Sequence, residues 1–146
     1  MIIVLDTNVL ISGIFWSGPP SKILQLVENG DEIQLAQSYE TFEEFEEVLQ
    51  RGKFSQIVTQ RKLDIPQILE SLFTVSEFYL ISRVNSGDVE KEINIEDADD
   101  LKFVELAIAA GARYIVSGDP HLLKIKKYKH IDIINPTEFL EIISSS

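Results

Sequence analysis

The first residues of the chain most constrain what it can fold into. Met1 to Leu5 are five apolar residues without a break, a pattern typical of a strand buried on both faces of a sheet. Asp6 then interrupts the run, and Thr7 and Asn8 precede a second apolar stretch. A carboxylate within such a segment is costly to bury unless a cation or hydrogen-bond donors meet it. Asp6 is therefore either the cap of a following helix or part of a cation site.

The length and composition are those of one domain. The 146 residues are 45% hydrophobic, which is enough for a single core. No segment reaches the ~18 apolar residues of a membrane span, and the N-terminus lacks the basic region of a signal peptide. The absence of cysteine excludes disulfides and thiolate chemistry. We expect a cytoplasmic protein with one domain over residues 1–143 and a frayed end over residues 144–146.

The charge restricts how the chain can bind nucleic acid. Thirteen basic and twenty-four acidic residues give a net charge of -11, which argues against an affinity based on general phosphate neutralisation. A nucleic-acid enzyme is then possible only if cations lie among the acids or the basic residues are gathered locally. One basic cluster exists, and it contains Lys124, Lys126, Lys127 and Lys129 beside His130. We predict that these lysines hold phosphates; the alternative is an ordinary solvated surface.

Strand and helix patterns alternate along the chain. Strand patterns occupy residues 32–36, 78–81, 114–117 and 131–134, and amphipathic stretches separate them. Residues 54–82 read as a helical excursion that returns to the sheet, and residues 83–96 as a polar surface loop. This βαβ order predicts a mainly parallel sheet with helices on both faces.

Acidic residues recur where the predicted strands give way to helices. Asp119 follows the strand at residues 114–117 and would lie at the carboxyl edge, where open α/β folds bind ligands; alternatively it starts an ordinary Asp-Pro turn. Asp97, Asp99 and Asp100 precede a helix. Three acids in four residues exceed what capping needs, and a bound cation would relieve their repulsion.

Glu44 lies one turn into the helix that follows the second strand. Thr41 and Glu44 also have the spacing of a capping box. The spacing alone favours Glu44 as part of this capping box over a place among the other acids.

The set of acids indicates one kind of chemistry. Carboxylates without a catalytic cysteine, a glycine-rich phosphate loop or a histidine pair favour a hard cation such as Mg²⁺ or Mn²⁺. The matching reaction is metal-assisted hydrolysis of a phosphodiester, which needs no covalent nucleophile.

Nearly the whole chain resembles a PIN domain, in particular the compact bacterial and archaeal type that forms the toxin component of toxin–antitoxin pairs. The resemblance rests on four pieces in order: Leu5-Asp6-Thr7-Asn8-Val9-Leu10, residues 38–54 around Glu44, Asp99-Asp100 seven residues before Ala107, and Val116-Ser117-Gly118-Asp119. It implies a three-layer α/β/α domain with a central, mainly parallel sheet of about five strands.

The resemblance also implies roles for individual residues. Asp6, Glu44, Asp100 and Asp119 would be the catalytic acids that bind Mg²⁺ or Mn²⁺. The supporting polar groups would be Asn8, Asp99 and Ser117, where Ser117 stands in place of a threonine found in many relatives. Asp99 competes with Asp100, and the spacing to Ala107 favours Asp100. His121 matches no residue of the motif, and we do not expect it to be catalytic.

The implied activity is cleavage of single-stranded RNA by a metal-dependent endoribonuclease. The implied partners are the RNA substrate, an antitoxin protein and a second copy in a homodimer, with no membrane. A non-catalytic PIN-like module that binds RNA or protein is the alternative. A phosphoreceiver domain is disfavoured, because Asp6 stands alone after the first strand and the late strand ends in Ser117-Gly118-Asp119 rather than in lysine.

Overall fold

The computed structural model describes residues 1–30, 32–81 and 98–145. The loop predicted for residues 83–96 lies outside these ranges, as does Asp97. No helix in the described ranges combines the length and the apolar character needed to cross a bilayer.

A single sheet forms the centre of the described chain. Its strands are β1 (Ile2–Leu5), β2 (Gln34–Gln37), β3 (Ser76–Phe78), β4 (Tyr114–Val116), β5 (Lys127–Tyr128) and β6 (Ile131–Ile134). They lie in the order β3-β2-β1-β4-β6-β5. Every neighbouring pair is parallel except β5 and β6, which are antiparallel. The mainly parallel α/β sheet predicted from the sequence is confirmed.

Eight α-helices lie in the described ranges. They are α1 (Thr7–Phe15), α2 (Pro19–Asn29), α3 (Tyr39–Leu49), α4 (Gly52–Gln60), α5 (Ile65–Val75), α6 (Leu101–Ala110), α7 (Pro120–Leu123) and α8 (Pro136–Ser144), and a 3-10 turn (Ala98–Asp100) precedes α6. Ser144 is thus helical, one residue beyond the domain boundary drawn from the sequence, a difference within the usual uncertainty of helix ends.

The two faces of the sheet are buried in two apolar clusters. Ile3 and Leu5 belong to one cluster, whereas Val4 belongs to the other, together with Val104 of α6. Successive side chains of a strand point to opposite faces. The unbroken apolar run at the N-terminus therefore contributes side chains to both apolar clusters. This arrangement confirms the three-layer α/β/α architecture.

Several strands differ from the prediction: β2 covers Gln34–Gln37 rather than residues 32–36, and β4 ends at Val116 rather than at residue 117. The third strand covers Ser76–Phe78 rather than residues 78–81, and Leu80 beyond it is 97% exposed. β5 was not predicted, because two residues are too few to show an alternating pattern.

The strand register decides which residues meet at the carboxyl edge. Leu5 of β1 pairs with Val116 of β4. Asp6 and Ser117, which follow these two residues, therefore leave the sheet side by side.

Candidate metal centre

A cavity of about 220 Å³ opens at the carboxyl edge of the sheet. Its lining residues come from the junction of β1 with α1, from α3, from the turn before α6 and α6 itself, and from the segment between β4 and α7: Asp6, Thr7, Asn8, Glu44, Val48, Asp99, Asp100, Phe103 and Asp119. The structure therefore brings together the four predicted acids, Asn8 and Asp99. We call this cavity the acidic pocket.

Asp6 is buried in the wall of the acidic pocket, with 4% of its surface exposed. Its Oδ1 accepts a hydrogen bond of 2.8 Å from the Val9 backbone N–H and caps α1. Its Oδ2 accepts a hydrogen bond from the Ser117 hydroxyl. The capping interpretation of Asp6 is thus correct, but it accounts for only one of the two carboxylate oxygens.

The environment of Asp6 favours its neutral form. Burial raises the pKa of the Asp6 carboxyl above its ordinary value, and the negative charge of Asp119 adds to the rise. Hydrogen bonds from Ser117, Val9 and Gly118 oppose the rise without cancelling it. A cation beside Asp6 would relieve this cost.

Ser117 connects two of the acids. Besides donating to Asp6, its Oγ accepts a hydrogen bond of 2.9 Å from the Asp119 backbone N–H. Asp119 Oδ1 in turn accepts a hydrogen bond of 2.9 Å from the His121 backbone N–H and caps α7. Asp119 thus lies at the carboxyl edge, where the sequence placed it, and it caps a short helix rather than starting an isolated Asp-Pro turn.

The capping interpretation of Glu44 is wrong. The capping box of α3 is formed by Ser38 and Thr41: Ser38 Oγ accepts from the Thr41 N–H at 3.2 Å, and Thr41 Oγ1 accepts from the Ser38 N–H at 3.0 Å. Thr41 is therefore the third helical residue rather than the cap.

Glu44 instead contacts two other elements. Its Oε2 accepts a hydrogen bond from the Thr7 hydroxyl, and its Oε1 lies 2.9 Å from Nζ of Lys102. These two contacts depend on how α1, α3 and α6 pack against one another.

The two aspartates before α6 differ in position. Asp100 is buried, whereas Asp99 is exposed at the rim of the acidic pocket. One ligand atom from each of Asp100, Asp119 and His121 lies within 4.8 Å of the others. His121 was not singled out by any motif, and its position two residues after Asp119 is the signal that could have identified it.

The donor set fits a divalent hard cation. Carboxylate oxygens dominate the acidic pocket, and such oxygens are the ligands that Mg²⁺ and Mn²⁺ prefer. The imidazole of His121 suits Mn²⁺ as well.

The basic cluster does not lie together at the acidic pocket. Lys127 pairs with Asp132, which is level with Tyr114 in the sheet. That level is three residues, or roughly 10 Å, from Ser117 at the carboxyl edge. Lys127 Nζ lies 3.9 Å from Asp132 Oδ1, and Lys129 follows β5 still farther from this edge. Lys126 lies nearer this edge than Lys127 does, because its carbonyl accepts a hydrogen bond from the backbone N–H of Ile133, the residue after Asp132.

Lys124 is the lysine of the cluster that lies nearest to Asp119 along the chain. Its backbone N–H bonds to the carbonyl of Pro120 at 3.0 Å, which places it one turn after Asp119. Phosphate contact by the basic cluster stays a prediction. Within the cluster, Lys124 is the lysine that we most expect to make this contact.

Residues 2–121 match the sequence pattern of the PIN domain family. No curated protein matches the chain.

Several solved structures share the fold at low sequence identity. VapBC2 from Rickettsia felis, bound to a DNA fragment from their promoter, is 20% identical with a TM-score of 0.65 over 92% of this chain and 98% of that chain. VapBC-1 from nontypeable Haemophilus influenzae is 16% identical with a TM-score of 0.63 over 94% and 99% of the two chains. FitAcB from Neisseria gonorrhoeae is 17% identical with a TM-score of 0.56 over 92% and 98%. The family match covers most of the sequence, and the chain belongs to the PIN domain family.

Proposed function

We propose that this protein is a Mg²⁺- or Mn²⁺-dependent endoribonuclease that hydrolyses phosphodiester bonds of single-stranded RNA. The observation that carries the proposal is the lining of one small cavity by Asp6, Glu44, Asp100 and Asp119. These acids come from separate segments of the chain. Capping alone would not require them to share a cavity, and their mutual repulsion would disfavour it.

The four acids are the proposed ligands, and the other polar residues hold them. Ser117 and the Val9 N–H fix both oxygens of Asp6, while Thr7 and Lys102 fix those of Glu44. Fixed ligands lose little entropy when they bind a cation, so the pocket is organised in advance. Asn8 and Asp99 line the same cavity and would contact bound water or substrate.

A bound Mg²⁺ or Mn²⁺ would lower the pKa of a water molecule and stabilise the negative charge that develops on the phosphoryl and leaving oxygens. The chain itself would orient the ligands.

The biological role that we propose is the toxin of a toxin–antitoxin pair in the cytoplasm. Family membership and the shared fold with VapBC structures support this role. An antitoxin would be the protein partner. Expression of the protein should arrest growth, and co-expression of the partner should restore it; Asp6→Asn should not arrest growth at an equal protein level.

A homodimer is part of the same proposal. Phe73 is 60% exposed, and its ring packs against that of Phe78 beside the edge strand β3. Burial of this apolar surface in a second copy would stabilise a dimer. Light scattering of wild type and Phe73→Ser should give a dimer and a monomer, respectively.

Cleavage of a circular single-stranded RNA tests the endonuclease directly, because a circle has no end for an exonuclease. We expect linear products with Mg²⁺ or Mn²⁺, none with EDTA, and none from Asp6→Asn. RNA that binds but stays circular under all metal conditions would favour the non-catalytic binding module.

A further inference from the structure

Glu44 forms an ion pair with Lys102. Nζ of Lys102 lies 2.9 Å from Oε1 of Glu44, and the Thr7 hydroxyl occupies Oε2. The side chains of Lys102 and Glu44 are only 22% and 24% exposed. Solvent therefore screens this ion pair less than it screens a pair on the open surface.

Lys102 approaches Glu44 from outside the acidic pocket. A second cavity of about 410 Å³ adjoins the pocket, and Glu44 and Asp99 line both. Lys102 and Tyr39 line the second cavity but not the first. The Glu44 carboxylate thus stands between the lysine and the place where a divalent cation would be held.

We propose that Lys102 is a positioning residue of the metal site. It holds the Glu44 carboxylate together with Thr7, and its positive charge lowers the affinity of the acidic pocket for a divalent cation. The inference rests on the proposed function, because it takes Glu44 as a metal ligand.

One positive charge has opposite effects on the two states of the pocket. In the metal-free protein, Lys102 offsets part of the repulsion among the carboxylates and so stabilises the fold. When a divalent cation binds, the same charge repels it and competes for Glu44. A lysine that merely joined α6 to α3 would stabilise both states equally and leave the metal affinity unchanged.

Calorimetric titration of Mn²⁺ into metal-free protein tests this inference without measuring cleavage. Lys102→Gln should bind Mn²⁺ about tenfold more tightly than wild type, the size of effect that one unit charge has near a partly screened cation site. The metal-free form of Lys102→Gln should melt at a lower temperature than metal-free wild type. Lys102→Arg keeps the charge and should bind Mn²⁺ as wild type does.

Two controls isolate the contact. Lys22→Gln removes the same charge from an exposed position on α2 and should leave the Mn²⁺ affinity unchanged. In a Glu44→Gln background, Lys102→Gln should tighten Mn²⁺ binding less than in wild type, because the two residues act as a pair. Lys102→Met keeps the aliphatic stem and replaces the glutamine variant if that variant fails to fold.

The outcomes separate this inference from the proposed function. Equal Mn²⁺ affinities of wild type, Lys102→Gln and Lys102→Met would overturn the role of Lys102 and leave the nuclease proposal standing. Tenfold tighter binding by Lys102→Arg would also overturn it. Wild type that does not bind Mn²⁺ at all would overturn both.

Discussion

The hydroxyl of Ser117 donates a hydrogen bond to Oδ2 of Asp6, although 111 positions separate the two residues in the sequence. They meet because β1 and β4 are parallel neighbours with Leu5 opposite Val116. Both residues leave their strands at the carboxyl edge, and Ser117 is fully buried there. The serine therefore sets the orientation of the most deeply buried acid of the candidate metal centre.

Ser117→Ala should weaken both the fold and the activity. It leaves an oxygen of buried Asp6 without its donor, which costs about 1–3 kcal/mol, and it removes the acceptor of the Asp119 N–H. Ser117→Thr keeps the hydroxyl and should retain cleavage. Urea unfolding and RNA cleavage of the two variants check this, and equal activity in both would show that the hydroxyl has no role.

The raised pKa of Asp6 predicts a pH dependence of stability. A carboxyl whose folded pKa lies above its unfolded pKa contributes stability at low pH and loses that contribution as pH rises through the folded pKa. Metal-free wild type should therefore gain stability on mild acidification from neutrality, before other carboxyls cause acid unfolding. Asp6→Asn should show a smaller gain and should be more stable than wild type at neutral pH, since asparagine also caps helices.

Metal should reverse the order of the two proteins. Mn²⁺ at a hundred times its dissociation constant should stabilise wild type by about 2.7 kcal/mol, and Asp6→Asn by less. Melting curves with EDTA and with Mn²⁺ measure both effects. Equal shifts in the two proteins would mean that Asp6 is a capping residue alone.

Asp100→Asn should reduce cleavage more than Asp99→Asn. Asp100 is buried within 4.8 Å of potential ligand atoms of Asp119 and His121, whereas Asp99 is exposed at the rim. Initial rates at saturating Mn²⁺ compare the two variants. A larger loss in Asp99→Asn would exchange their proposed roles.

The basic cluster should contribute unequally to RNA binding. Replacing all four lysines with glutamine should flatten the log–log salt dependence by roughly 0.7 for each phosphate of single-stranded RNA that the protein no longer neutralises. Lys124→Gln should account for more of this change than Lys127→Gln, because Lys127 lies toward the opposite end of the strands beside Asp132. Filter binding with the cleavage-deficient Asp6→Asn protein at several salt concentrations gives the slopes. A slope that none of the replacements alters would identify the lysines as ordinary solvated surface.

The parts of the fold that local patterns determine were predictable. An apolar run ending in Asp6 identified the central strand and its carboxyl edge, because few other structures bury both faces of five residues. The order of strands and helices then determined a parallel sheet. Two-residue β5 has no such pattern, and it pairs only because the chain turns back on β6.

The contacts within the candidate site were less predictable. The second strand extends to Gln37, one residue beyond the predicted end, so Ser38 becomes the cap and Thr41 moves to the third helical position. The contact of Lys102 with Glu44 depends on the packing of α6 beside α3, which helical periodicity does not encode. Family resemblance supplied the position of Glu44 but not its partners.

The central claim is that the acidic pocket uses a divalent cation to hydrolyse RNA. Its most direct test is the initial rate of cleavage of a labelled single-stranded RNA in Mn²⁺ and in EDTA. The proteins to compare are wild type, Asp6→Asn, Glu44→Gln, Asp100→Asn, Asp119→Asn and Asp64→Asn, where Asp64 is an exposed aspartate outside the acidic pocket. We expect cleavage by wild type and Asp64→Asn in Mn²⁺ only, and none by the other four. Wild-type rates in all four pocket variants would contradict the account.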